Sequence, residues 1–372
     1  MRIALVAHSN APWTPHYARY FLAEGHAVCV VSFHPQSIDG VDFRYFGATP
    51  FRDGGGKSFM LRRVPAIRAF LRGWSPDVVF APYLISNGLT AALVDVAPLV
   101  VSARGGDIQM QPGATPIPPL LRRMVVRFVC SRSRRVHVVS AGLVDALVAI
   151  GVAPDKIVCF PVGVDLARFS LPSEPQPESP VPPLIICTRR HEPVYRNQDI
   201  VEALGVLKSR GRAVRCLFAG GGSLLEARRR QATSLGLADR VGFTMHLPHE
   251  EIPARLRQAS IYISASTSDG TSSSLLEAMA TGLFPVVSRI RANKDWVREG
   301  ETGLMFEVGD AAGLAGALEG ALDDPLMRKR AAAENRRTVE QRGDLAANNR
   351  RLLDLLLAVA RSDAHSDCAV RE

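Results

Sequence analysis

One alternation constrains this chain more than any other feature. Short, continuous, β-branched apolar runs recur with helix-length segments between them. In the first half they are RIALVA (2–7), VCVVSF (28–33), DVVFAP (77–82), LVVSA (99–103), RVHVVS (135–140) and KIVCFP (156–161). Runs that are apolar on both faces suit strands of a parallel sheet covered on each side by helices. The opening residues show the unit in full: a strand, a polar loop SNAPWTP, a helix HYARYFLAEGH and a second strand. Thr14 is the expected N-cap of that helix, Pro15 its first residue and Gly25 its stop.

The alternation breaks once. Residues 170–183, SLPSEPQPESPVPP, hold six prolines and can form neither a helix nor a central strand. It then restarts with LIICT (184–188), RCLFAG (215–220), VGF (241–243), IYISAS (261–266) and FPVVS (284–288). The fold class read from this is α/β, with two Rossmann-like doubly wound domains facing a central cleft. The expected division is 1–170, a linker over 171–183, a second domain over 184–340, and a C-terminal helix over 341–361 that packs back on the first domain. Ligands of such sheets bind beyond the carboxyl ends of the strands.

Composition narrows the class. At 47% hydrophobic and 22% charged residues the chain is not wholly disordered. No window is apolar for the length a membrane-spanning helix needs. MRIALVAHSN lacks the long apolar region and cleavage site of a secretory leader and reads as a first strand, which suggests a cytoplasmic protein. The six cysteines are scattered without a C-x-x-C, as reduced thiols would be. No set of metal ligands stands out, so no metal is expected.

Two glycine-rich stretches differ in value. DGGGKS (53–58) looks like the end of a phosphate-binding loop, but Phe51 stands where the leading glycine is required. Gly220, Gly221 and Gly222 follow a strand and precede a helix, which suits a tight turn or a nucleotide site equally. The most informative stretch is IYISASTSDGTSSSLLEAMATGLFPVVS (261–288). A strand ends near Ala265, a polar loop follows, and a helix starts near Ser273 or Ser274. Serines at a helix start offer N–H groups and hydroxyls to an anion. Asp269 and Glu277 lie eight residues apart around it, and a carboxylate there can accept two hydrogen bonds from a diol. Ser274 and Glu277 also fit a capping box, a purely structural reading.

SDGTSSSLLEAMATGLFPVV resembles the signature of the retaining GT-B glycosyltransferases of family 4. In these an acidic residue, seven residues and a Glu precede A-M-A-x-G-x-P-V-V. PVGVDLARF (161–169), AGGGSLLEARRRQATSLGLADRVGF (219–243) and REGETGLMFEVGDAAGLAGAL (298–318) resemble further family segments in the right order. The resemblance implies that Glu277 holds the ribose of a nucleotide-sugar donor and that Asp269 meets the donor sugar. Gly270, Thr271 and Ser272 would lie near that sugar. Ser273, Ser274 and Leu275 would offer amides to the diphosphate, Gly220 and Gly221 would form the glycine turn, and His246 and Leu247 would lie by the base. In CTRRHEPVYRN (187–197), Arg189 matches the family's diphosphate-binding Arg. The family's Lys falls on Tyr195, and Arg196 beside it is the expected replacement. On the acceptor side, Arg104 stands in the place of a His in a His-Gly-x-Asp sequence, while Asp107 remains; His16 and Asn10 are further polar candidates. The implied reaction is metal-independent, retaining transfer from a nucleotide-diphosphate sugar, by default a UDP-sugar, to an acceptor hydroxyl. No cofactor besides that co-substrate is implied. The altered Lys and His positions keep a rival open: a catalytically inactive protein of this fold that binds a sugar nucleotide or a partner.

The +9 net charge is uneven. Residues 1–170 hold 18 Lys and Arg against 10 Asp and Glu, and residues 171–372 hold 27 against 26. An acidic, phosphate-linked or lipid-linked acceptor, or an anionic membrane surface, would suit the basic first half. LLRRMVVRFVCSRSRR (120–135) mixes six arginines with apolar residues. It reads either as a peripheral membrane helix or as a solvated helix with its apolar face in the core. No nucleic-acid recognition module appears.

Overall fold

A computed structural model describes residues 1–11, 13–47, 57–106, 108, 118–172, 182–245 and 247–369, the side chains of 57–59 and 363–369 excepted. Asp107, His246, most of the DGGGKS stretch and residues 173–181 of the Pro-rich segment lie outside the described residues. Two compact units result, Met1–Pro161 with Ala347–Glu372, and Val162–Ala346.

The first unit runs β1 (Arg2–Val6), α1 (Trp13–Ala23), β2 (Ala27–Ser32), β3 (Asp42–Tyr45), α2 (Lys57–Arg62), α3 (Val64–Trp74) and β4 (Val78–Pro82). A π-helical turn, Leu84–Gly88, leads into α4 (Leu89–Val94). Then come β5 (Leu99–Ala103), α5 (Pro119–Arg132), β6 (Arg135–Val138), α6 (Ala141–Ala149) and β7 (Ile157–Cys159). All pairings are parallel, in the order β3-β2-β1-β4-β5-β6-β7. The second unit runs β8 (Leu184–Cys187), α7 (Asn197–Ser209), β9 (Arg215–Ala219), α8 (Leu225–Ser234), β10 (Val241–Thr244), α9 (Ile252–Arg257) and β11 (Ile261–Ser264). It continues through α10 (Ser273–Ala280), β12 (Phe284–Ser288), α11 (Arg291–Lys294), β13 (Leu304–Phe306), α12 (Ala311–Asp323) and α13 (Pro325–Arg342). Its parallel sheet has the order β10-β9-β8-β11-β12-β13. The last helix, α14 (Leu345–Ala369), seats Leu352, Leu353, Leu356 and Val359 in the core of the first unit, with Ile3, Leu5 and Phe80 of its sheet.

Strand alternation sorts the second unit into layers. Ile261 and Ile263 face one core with α7 and α12; Tyr262, between them, faces the other with α9 and α10. All eleven apolar runs form strands, and two short edge strands, β3 and β13, are added. Both escape a hydrophobicity reading because β3 alternates exposed with half-buried residues and β13 has only three residues. One local expectation fails: α1 begins at Trp13, so Thr14 lies inside its first turn and its buried hydroxyl finds no hydrogen-bond partner. Gly25 does end the helix, at φ +80°, with the amide of His26 donating to the carbonyl of Phe21. Among the described residues no helix is long and apolar enough to cross a membrane.

Candidate functional site

In the second unit strand order reverses beside β8. Strands β9 and β10 extend the sheet on one side, and β11, β12 and β13 on the other. The carboxyl ends of β8 and β11 therefore flank a topological switch point, where open α/β sheets bind ligands. Arg189 lies two residues after β8, and Asp269 and the start of α10 follow β11.

Arg189 is fastened across that point. One terminal nitrogen donates to Ser272 Oγ at 2.9 Å and Ser274 Oγ at 3.1 Å, and the other pairs with the Asp269 carboxylate. Ser272 is the N-cap of α10, its hydroxyl accepting from the Leu275 amide at 3.2 Å. Tyr262, fully buried beneath α10, hydrogen-bonds Ser274 Oγ at 2.9 Å. Burial, only partly countered by Arg189, pushes the Tyr262 phenol up to about 12, so it stays a neutral partner. Burial opposes charge on Arg189 too, but Asp269, with smaller help from Tyr262, Tyr195 and Cys187, outweighs it. The guanidinium thus stays charged at every working pH. The amides of Ser273 and Ser274, at the start of α10, have no acceptor within the helix. Gly270 is buried between these groups and Thr271 half-buried beside it.

Two further positions of the segment after β8 have partners of their own. Tyr195 brings no cation but lays its ring 4.2 Å from the Arg189 guanidinium. Arg196, expected to replace the missing Lys, gives Nε and one terminal nitrogen to Asp199, at 2.6 and 2.9 Å. That bidentate pair sits at the start of α7, with Arg196 at φ +44°. Arg190 pairs with Glu192 at 3.3 Å in solvent. Every arginine of the segment thus has a carboxylate partner.

The glycine turn serves the same loop. A Cβ on Gly220 would lie 2.7 Å from the Arg189 carbonyl oxygen, and one on Gly222, at φ +149°, 2.5 Å from that of His191. A Cβ on Gly221 would meet the Met245 carbonyl at 2.7 Å. The His191 amide donates to the Gly221 carbonyl, and the Leu224 amide to the His191 carbonyl, each at 2.9 Å. Gly220 and Gly222 let this turn touch the backbone of residues 189–191, and Gly221 lets it touch that of Met245. His191 is buried against Phe218 and Phe243, and burial with Arg228 and Arg229 lowers it to about 4. It is a neutral packing residue.

Glu277 does not form the capping box with Ser274. Ser272 caps the helix, and Glu277 Oε1 instead lies 3.2 Å from Nε2 of the exposed His249. Its side chain is only 12% exposed, on the first turns of α10 about one turn beyond the serines. Leu247 packs half-buried beside this layer. Sequence reasoning missed His249 and Tyr262, since neither belongs to the motif that positions its partner.

In the first unit Arg104 follows β5. It donates to Tyr17 Oη at 2.7 Å and Ser102 Oγ at 3.3 Å, and lies over the rings of Tyr17 and Trp13 at 5.4 and 5.8 Å. His16 accepts from the Asn349 side chain of α14 at 2.8 Å, which makes it a fixed residue of the α1 end. Asn10 is exposed in the loop after β1. Behind Arg104, His137 bonds Ser102 Oγ and the Phe160 carbonyl at 2.9 and 2.8 Å. Burial, helped by Arg104, lowers it to about 3.

Two such parallel α/β units define the GT-B fold. The sucrose-phosphate synthase of Thermosynechococcus elongatus superposes with a TM-score of 0.81 at 18% identity, covering 97% of this chain and 100% of that one. The Anabaena protein HepE in complex with UDP-glucose gives 0.76 at 16% identity, covering 96% and 100%. The model of the Glycosyl transferases group 1 matches residues 173–338, and that of Glycosyltransferase Family 4 matches residues 15–168. The chain belongs to the group 1 glycosyltransferases. Among its relatives, the GDP-mannose-dependent alpha-(1-6)-phosphatidylinositol monomannoside mannosyltransferase of Mycolicibacterium smegmatis is 30% identical over 191 residues, 47% of this chain and 48% of that one. The alignments span about half the length of such relatives.

Proposed function

We propose that the chain transfers a sugar from a nucleoside-diphosphate sugar to an acceptor hydroxyl, with retention of anomeric configuration and without a metal ion. The observation that carries this reading is the fastening of Arg189 across the switch point, onto the serines that open α10. The donor diphosphate would lie against Arg189 and the Ser273 and Ser274 amides, with the Glu277 carboxylate on the ribose hydroxyls and Asp269 at the sugar. In the reaction the bond from the anomeric carbon to the diphosphate oxygen breaks, and the acceptor oxygen bonds that carbon from the same face. The acceptor proton passes to the departing diphosphate. Arg189 and the helix end stabilise the charge growing on that leaving group, a contribution worth about 100- to 1000-fold in rate. Arg104 and its aromatic neighbours are suited to an anionic or phosphate-linked acceptor. A related enzyme is named for GDP-mannose and a solved neighbour holds UDP-glucose, so the base is read by experiment.

The test is turnover with UDP-, GDP- and dTDP-sugars, including slow hydrolysis without acceptor, in excess chelator. Transfer or hydrolysis of one donor, lost in Glu277→Ala, is the expected result; Glu277 serves because, among the described residues, its carboxylate pairs with the exposed His249. Unchanged turnover in that variant would remove the site assignment. The pairing of Arg196 with Asp199 favours a second reading, binding without transfer. Donor binding with no hydrolysis across the panel would establish it.

A further inference from the structure

Helix α5 carries a surface that the donor site does not explain. Only Val126, Val129 and Cys130 of this helix are buried. Leu120, Leu121, Met124 and Phe128 are exposed, Leu120 at 71% and Met124 at 59%. At about 100° per residue these four form one stripe, centred opposite the buried face. The apolar residues of LLRRMVVRFVC are thus divided between core and solvent. A contiguous exposed apolar stripe marks an interaction surface. Its border is cationic: Arg123 and Arg127 run along one side, one turn apart, and both are exposed. Residues 118–135 hold six arginines and no carboxylate. Arg132 is paired with Asp95 beyond the end of the helix, and Lys156 donates to the carbonyls of Ser131 and Ser133 there at 3.2 Å.

We propose that the α5 face of the first unit docks on an anionic lipid surface. The four apolar side chains would enter the headgroup–acyl boundary while the bordering guanidinium groups meet lipid phosphates. A second protein copy is the weaker fit: α5 presents cations without carboxylates, so two such faces brought together repel. A helix with an apolar stripe and a cationic flank instead matches the two-part chemistry of an anionic bilayer.

Vesicle flotation with the full chain tests this. It should float with vesicles of phosphatidylcholine plus phosphatidylglycerol, remain behind with phosphatidylcholine alone, and release at high salt. Leu120→Ser with Met124→Ser should cut the bound fraction by about tenfold. Arg123→Gln with Arg127→Gln should cost roughly fivefold per charge removed. All four positions are solvent-facing, and unchanged thermal unfolding shows that the variants fold. Equal recovery with both lipids, or flotation untouched by either pair, would overturn the proposal. So would sedimentation showing a dimer that the serine pair dissolves, with no flotation.

Discussion

Arg189 gives its guanidinium to three side-chain oxygens and a tyrosine ring, and each partner has a different claim to being readable in the sequence. Ser272, Ser274 and Asp269 sit in one motif and announce themselves. Tyr262 does not, because only the pleat of β11 turns it toward α10 and the serine it meets. Arg196 has a type that suits a phosphate, and in this structure it pairs with Asp199, one turn ahead. His137 is the clearest buried titration. The fold holds it neutral down to about 3 against an ordinary value of 6.5. Between these values the unfolded chain binds a proton that the folded chain refuses. Its contribution to stability is therefore complete above pH 6.5 and is lost as pH falls. Urea unfolding should show wild type losing about 2 kcal/mol more than His137→Gln between pH 6.5 and about 5. Parallel pH profiles would contradict this.

At the level of elements, the glycine turn after β9 was visible as a turn, but its purpose was not. Gly220 and Gly222 admit the backbone of residues 189–191, a contact between segments some thirty residues apart that no local pattern encodes. Gly220→Ala forces a Cβ to 2.7 Å from the Arg189 carbonyl oxygen, so the loop must shift. The expected outcome is a loss of donor affinity of about tenfold or more, larger than the accompanying loss of stability, because the displaced atoms belong to the loop that aims Arg189. Titration with nucleoside diphosphate alongside thermal unfolding checks this, and an unchanged affinity would refute it. Central strands were legible because burial on both faces writes a continuous apolar run; edge strands β3 and β13 carry no such record.

Across the whole chain, the last helix belongs with the first residues. Residues 347 onward join the unit that begins at Met1, and Leu352, Leu353, Leu356 and Val359 complete its core. The sequence predicts a C-terminal helix that packs back on the first domain, and α14 buries its apolar face there. Leu356 is fully buried, so Leu356→Ala should destabilise the first unit by about 2–5 kcal/mol, seen as an earlier unfolding transition. A shift below about 1 kcal/mol would mean that α14 is peripheral to that core. Four of the 18 basic residues of the first half lie on α5.

Calorimetric titration of nucleoside diphosphates into wild type, Arg189→Ala and Glu277→Ala tests the donor-site account most directly. The account predicts that wild type binds UDP or GDP, that Arg189→Ala weakens the diphosphate while sparing the free nucleoside, and that Glu277→Ala weakens both. Equal affinities in all three proteins would contradict it.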